Sequence, residues 1–146
     1  MQPYPHHYVI QTSGTGDGPV TITAVGAPQL ATSAPPEFGG PGGMWSPETL
    51  LCAAVGDCFV LGFRAVARAS HLEWTRLSCT IEGTLERLEG VSRFTRFVTT
   101  ARLEVPAGTD VTRARAVMEK AEQVCLVSNS LNGERRLVAE VRTASD

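Results

Sequence analysis

The stretch from Leu50 to Ala67, "LLCAAVGDCFVLGFRAVA", is apolar almost all the way round, and it is the feature that most constrains the fold. Gly56, Asp57, Gly62 and Arg64 interrupt it, and a membrane span would tolerate those residues poorly. It is expected to be a helix buried in protein. Ser46 supplies a cap, Pro47 suits the first helical position, and Glu48 favours the positive end of the helix dipole, so the helix should run from Pro47 to about Ala69. A helix of this kind needs cover on every side, which 146 residues can hardly provide alone, so a dimer that completes the cover is expected. The same length predicts one domain, 1–146.

The flanking segments read mostly as strands. "HHYVIQ" and "PVTITAV" are β-rich and are joined by the Gly-dense "SGTGDGP", while the prolines and paired glycines of "SAPPEFGGPGGMWSPE" predict an irregular loop. In "WTRLSCTIEGTLERLE", Leu77, Cys79, Ile81 and Leu85 alternate with polar residues. "RFTRFVTTARLEV" places Phe97, Ala101, Leu103 and Val105 on one face, and "EGVS" makes the bend of a long antiparallel hairpin. A second helix starts at Asp110, with Val111, Ala114, Met118, Ala121 and Cys125 on its buried stripe, and "RRLVAEVR" is the last strand. The order strands, helix, strands, helix, strand predicts an α+β fold rather than a doubly wound sheet.

Charge and composition exclude several function classes. Thirteen basic against fifteen acidic residues give a net charge of −2, which offers no attraction to nucleic acid or an anionic membrane surface. The start, "MQPYPHHYVIQTSG", has neither a basic nor a long apolar region of the secretory type, so a cytoplasmic location is expected. Four scattered cysteines without a C-x-x-C pair, and three histidines, support neither a disulfide scaffold nor a zinc site, and no metal is expected. The Gly-rich loop before the helix lacks a phosphate-binding pattern.

Cysteine is often a small apolar filler, and Cys79 on an apolar strand face and Cys52 in the first helical turns fit that role. Cys58 differs. Asp57 beside it and Gly56 and Gly62 nearby make its surroundings the least oil-like part of the helix and leave room for approach, so both a filler and a reactive thiol remain open on chemistry alone.

"EFGGPGG", "SPETLLCAAVGDCF" and "EQVCLVSNSL" together resemble the OsmC-like family, which includes the organic hydroperoxide resistance proteins. Those proteins carry a Gly-Gly-Pro-Gly-Gly loop, an Asn-Pro-Glu followed by Leu, paired alanines and Cys-Phe, and a later Val-Cys-Pro with Ser-Asn. The resemblance spans nearly the whole chain. It implies an intertwined homodimer of the OsmC-like α+β fold, with antiparallel sheets around a long central buried helix. It also implies a thiol peroxidase in which Cys58 is the peroxidatic thiolate and Cys125 the resolving thiol. External dithiols of the lipoyl type would be the reductant, organic hydroperoxides the substrate, and no resident cofactor would be needed. An apolar substrate pocket would be lined by Phe59, Phe63, Met44 and Trp45.

Two positions depart from the family pattern. Leu126 stands where a proline usually follows the resolving cysteine, and Gly16 of "GTGDG" stands where the peroxidases have the arginine that stabilises the thiolate and orients the peroxide. Arg64, Arg68, Arg93, Arg96 and Arg102 are candidates for the replacement charge; loss of peroxidase activity in favour of a binding role is the alternative. Glu48 matches the glutamate that holds that arginine. Ten helical residues rise roughly 15 Å, so Glu48 is expected to act beside Cys58 of a partner chain, or else only to stabilise the helix start.

Overall fold

The computed structural model describes residues 1–144, which fall into two compact units, one of Met1–Leu50 and one from Leu51 onward. The first unit holds a three-stranded antiparallel meander: β1 (Gln11–Ser13), β2 (Val20–Thr23) and β3 (Leu30–Thr32). The strands are shorter than their β-rich sequence predicts. Gln11 already pairs with Thr23, the last residue of β2, and the chain turns at Ala24 to Ala27, so His6 to Ile10 have no strand to pair with. β3 was not expected. Within the Gly/Pro-rich loop, Pro36–Phe38 forms a single 3-10 turn, and Trp45 pairs with Thr32 through an isolated bridge.

Helix α1 (Pro47–Ala69) has the expected bounds. Its start is closed reciprocally: the Thr49 N–H donates to Ser46 Oγ at 3.2 Å and the Ser46 N–H donates to Thr49 Oγ1 at 2.9 Å, an arrangement that satisfies two otherwise free donors.

The second unit holds most of α1, then β4 (Arg76–Leu88), β5 (Val91–Val105), α2 (Val111–Gln123), the short α3 (Leu126–Asn129) and β6 (Glu134–Thr143). Its sheet has the order β4-β5-β6; β4 and β5 form the long antiparallel hairpin, whereas β6 joins β5 in parallel after the helical crossover. The hairpin turns on Glu89 and Gly90, both with positive φ, as a two-residue connection requires.

Alternation on β5 is as read from the sequence: Phe97, Ala101, Leu103 and Val105 are all buried, and Thr99 joins them on that face. On β4 it fails at one point. Leu85, expected on the inward face, is 37% exposed, and the register shifts beside it because Thr95 of β5 is an extra residue opposite Thr84/Leu85.

The core of this unit is built from Phe59, Phe63 and Ala67 of α1, Ala101, Leu103 and Val105 of β5, and Ala114, Val117, Met118 and Ala121 of α2. α2 is capped by Asp110, whose carboxylate accepts from the Thr112 and Arg113 amides. Val111 is 40% exposed and lies off the stripe. α1 is long and apolar enough to cross a membrane by length and composition alone, yet its stripe of Val55, Phe59, Phe63 and Ala67 is packed in protein. Leu61, off that stripe, is 52% exposed.

α1 approaches the sheet closely because β4 offers glycine. A Cβ on Gly83 would stand 2.7 Å from Cys52 Sγ and 2.9 Å from Phe94 Cε1, both inside contact distance. Gly56 of α1 similarly faces Ile81 and Cys79.

Candidate active site

Cys58 lies on α1, one residue before Phe59 of the buried stripe, so its side chain sits at the margin of the core, half-buried. Cys125 is 1% exposed. Its place differs from the one expected: α2 stops at Gln123, and Cys125 is the N-cap residue of α3 rather than a member of the α2 stripe. The chain breaks there because Cys125 is extended, at φ −65° and ψ 102°, while its amide still bonds back to the Glu122 carbonyl at 3.2 Å.

This break brings the two sulfurs together. Cys125 and the backbone amides of Val127 and Leu126 are near enough to Cys58 to act on its thiol. Cys125 in turn donates to Ser128 Oγ at 3.4 Å, in a buried contact. Ser128 thus supports the Cys125 thiol from the side of α3.

Burial pushes the Cys58 thiol above its ordinary value, because a thiolate is poorly solvated there. The Val127 amide opposes this by donating to the thiolate. Cys125 raises it again, as the partner that holds the proton-bearing thiol and as a second negative charge when ionised, and the Leu126 amide pulls weakly downward. Among the described residues no cationic side chain acts on Cys58.

None of the arginines considered as replacement cations is among the groups that act on Cys58 in this chain, and Arg96 Nε is buried without a hydrogen-bond partner. Arg64, Arg68 and Arg93 are exposed, Arg102 is bonded to Glu140 at 2.9 Å, and Arg96 stands 3.9 Å from Glu134. Gly16 lies in an open turn where a Cβ would meet nothing within 4 Å.

Glu48 is in the first turn of α1, and its Oε2 is buried without a hydrogen-bond partner. Met44 and Trp45 of the first unit line an open hollow of about 410 Å³ with Ala31, Gly43 and Thr49. Phe59 and Phe63 do not line accessible space: both are 0% exposed, because their i, i+4 spacing puts them on the stripe that packs against β5 and α2. They belong to the core, a correction to the expected pocket.

Cys52 and Cys79 behave as fillers. Cys52 packs against Gly83, Cys79 lies 3.9 Å from the Gly56 carbonyl, and burial raises both thiols. Among the described residues no group of three or more potential metal ligands occurs.

One residue near the site escaped the sequence reading. Arg135, at the second position of β6, bonds through Nε to Glu122 Oε1 at 2.9 Å, through Nη2 to the Glu122 carbonyl at 2.6 Å and through Nη1 to Asn129 Oδ1 at 2.6 Å. In sequence it is one of a pair of arginines opening a strand, and nothing local marks it.

Residues 40–138 match the family model described as OsmC-like protein. The uncharacterized protein YmaD of Bacillus subtilis (strain 168) is 25% identical over 147 residues, covering 97% of this chain and 98% of its own. An OsmC-like protein of unknown function from Vibrio cholerae superposes with a TM-score of 0.82 at 16% identity, over 94% of this chain and all of the other. A crystal structure from Legionella pneumophila, described as an organic hydroperoxide resistance protein OsmC and predicted redox protein, matches with a TM-score of 0.75 at 27% identity, over 95% of this chain and 98% of its own. The family model spans more than half of the sequence, and the α+β architecture is shared: the chain belongs to the OsmC-like protein family.

Proposed function

We propose that this protein is a cysteine-based peroxidase that reduces organic hydroperoxides to alcohols. The observation that carries the reading is the proximity of two thiols, Cys58 and Cys125, brought from two distant parts of the chain close enough for one to raise the other. In the reaction, the Cys58 thiolate attacks the terminal peroxide oxygen. The O–O bond breaks, the alkoxide leaves and takes up a proton as an alcohol, and Cys58 becomes a sulfenic acid. Cys125 then attacks that sulfur, water departs, and a disulfide forms. An external dithiol of the lipoyl type returns both thiols to the reduced state. The chain acts as one OsmC-like domain in a cytoplasmic homodimer, in which the half-exposed Leu61 side of α1 is covered and Glu48 lies beside the partner's site. The organic hydroperoxide resistance protein of Legionella pneumophila supports the substrate class.

The test is consumption of cumene hydroperoxide with dihydrolipoamide as reductant. Wild type should turn over, and Cys58→Ser should be reduced to the uncatalysed rate; equal rates for the two proteins would remove the reading.

A second reading, an OsmC-like binding protein without efficient peroxide turnover, is favoured by one observation. Gly16 replaces the family arginine, and no cation among the described residues offsets the burial of Cys58. In that case cumene hydroperoxide leaves wild type as slow as Cys58→Ser while both thiols remain intact.

A further inference from the structure

Arg135 takes no part in the chemistry proposed above, yet its bonds converge on the segment that carries Cys125. The guanidinium holds Glu122 at one end, through the carboxylate and the carbonyl, and Asn129 at the other, through the side-chain oxygen. The backbone of Cys125 is bonded to the same two residues: its N–H donates to the Glu122 carbonyl at 3.2 Å, and its carbonyl accepts from the Asn129 N–H at 2.9 Å. Cys125 is therefore suspended between two points that one side chain fixes.

The clamp is anchored in turn to the sheet that positions Cys58. Arg135 pairs with Phe97 on β5, and α1 packs its Phe59 and Phe63 against the same strand. The Arg135 side chain is 28% exposed and the Glu122 side chain 16%, so water competes only in part for these charge-assisted bonds. Three acceptors around one planar fork are a requirement that arginine meets and lysine does not.

We propose that Arg135 is a positioning residue that sets the Cys125 thiol against Cys58, acting through the Cys125 backbone. This rests on the disulfide chemistry proposed above. Without the fork, the α2–α3 junction samples more positions, and the effective concentration of one thiol at the other falls. The disulfide then becomes easier to reduce. A tenfold loss corresponds to a rise of about 30 mV in reduction potential for this two-electron couple.

The experiment equilibrates the full chain with graded ratios of reduced and oxidised dithiothreitol, quenches with acid, and reads the Cys58–Cys125 disulfide by peptide mass. No peroxide enters, so loss of peroxidase activity and loss of this positioning role are seen separately. Arg135→Met should shift the midpoint about tenfold toward the dithiol. Arg135→Lys keeps a charge opposite Glu122 and should hold the thermal midpoint near wild type, but it cannot span to Asn129 and should shift the redox midpoint. A merely structural ion pair would leave that midpoint unmoved in the lysine variant. Asn129→Ala removes one acceptor at an exposed position and should shift it several-fold, which keeps the test open if Arg135→Met fails to fold. Redox midpoints equal to wild type in the lysine and alanine variants would overturn the proposal, as would a wild type that forms no such disulfide at any ratio.

Discussion

Cys58, in the middle of α1, and Cys125, at the N-cap of α3, stand close enough within the second unit that Cys125 raises the Cys58 thiol. The contact makes each thiol part of the other's electrostatics. Cys125→Ser removes the neighbouring thiol that raises Cys58. The Cys58 pKa should therefore fall relative to wild type, as read from the pH dependence of thiolate ultraviolet absorbance. The same variant cannot form the disulfide. One equivalent of cumene hydroperoxide should leave Cys58 as a sulfenic acid, and excess should carry it to the sulfinic acid, seen by intact mass as the gain of two oxygen atoms. A Cys58 pKa that rises in this variant would show that Cys125 is not what raises it.

The raised thiols also predict how stability responds to alkali. Burial raises Cys52, Cys58 and Cys79 above the unfolded value, so the folded chain binds more protons than the unfolded one between the two values. Their contribution is fully present below the unfolded thiol value, about 8.5, and is lost as pH rises through the higher folded values. The thermal midpoint should fall as pH is raised from about 8 toward 10. In Cys79→Ala, one contributor is gone, and the decline over the same interval should be shallower. An unchanged slope would show that the Cys79 thiol has the same pKa in the folded and unfolded chain, against the rise that burial gives it.

Much of this architecture is legible from local chemistry. Ser46, Pro47 and the apolar run mark the bounds of α1, and the alternation of Phe97, Ala101, Leu103 and Val105 marks the buried face of β5. What escaped depends on partners distant in the chain. β3 is three residues long and exists because β2 pairs with it, and the bulge at Thr84/Leu85 is set by the mismatch with Thr95. Cys125 fits the helical spacing of α2, but the helix ends two residues earlier and a new one begins, so periodicity alone puts it on the wrong element. Phe59 and Phe63 are equally apolar as pocket or as core, and only their packing against β5 and α2 decides. The pairing of Cys58 with Cys125 came through family resemblance, since spacing in sequence carries no distance. Arg135 had no local signal at all.

Gly83 predicts a steric cost at the contact between α1 and β4. In Gly83→Ala the new methyl group would lie 2.7 Å from Cys52 Sγ, so the helix or the Phe94 ring must shift. The cost should be about 1–3 kcal/mol, in the range of other overpacked cores. At about 2–4 °C per kcal/mol for a chain of this size, the thermal midpoint should drop measurably. Cys52→Ala removes the nearer obstacle, so Gly83→Ala should cost less in that background than alone. Equal costs in both backgrounds would show that Phe94, not Cys52, limits the approach.

If Gly16 stands where the family resemblance puts the hairpin arginine, Gly16→Arg returns that charge. The turn can accept it: a side chain at Gly16 meets nothing within 4 Å, and this glycine is not among those with positive φ. Cys58 at present has burial and a neighbouring thiol against ionisation, with two backbone amides in its favour. A guanidinium that reached the thiolate would lower its pKa and steady the departing alkoxide, so both the ionised fraction at neutral pH and the step that follows would gain. The peroxidase reading therefore predicts that kcat/KM for cumene hydroperoxide rises by about tenfold or more in Gly16→Arg, within the range general for a single charge placed at a developing anion. The gain should vanish when Cys58→Ser is added. The binding reading predicts that the variant consumes peroxide no faster than wild type, and that its Cys58 pKa stays where burial and Cys125 hold it. Steady-state peroxide consumption and the thiolate absorbance titration, measured on the same four proteins, separate the two.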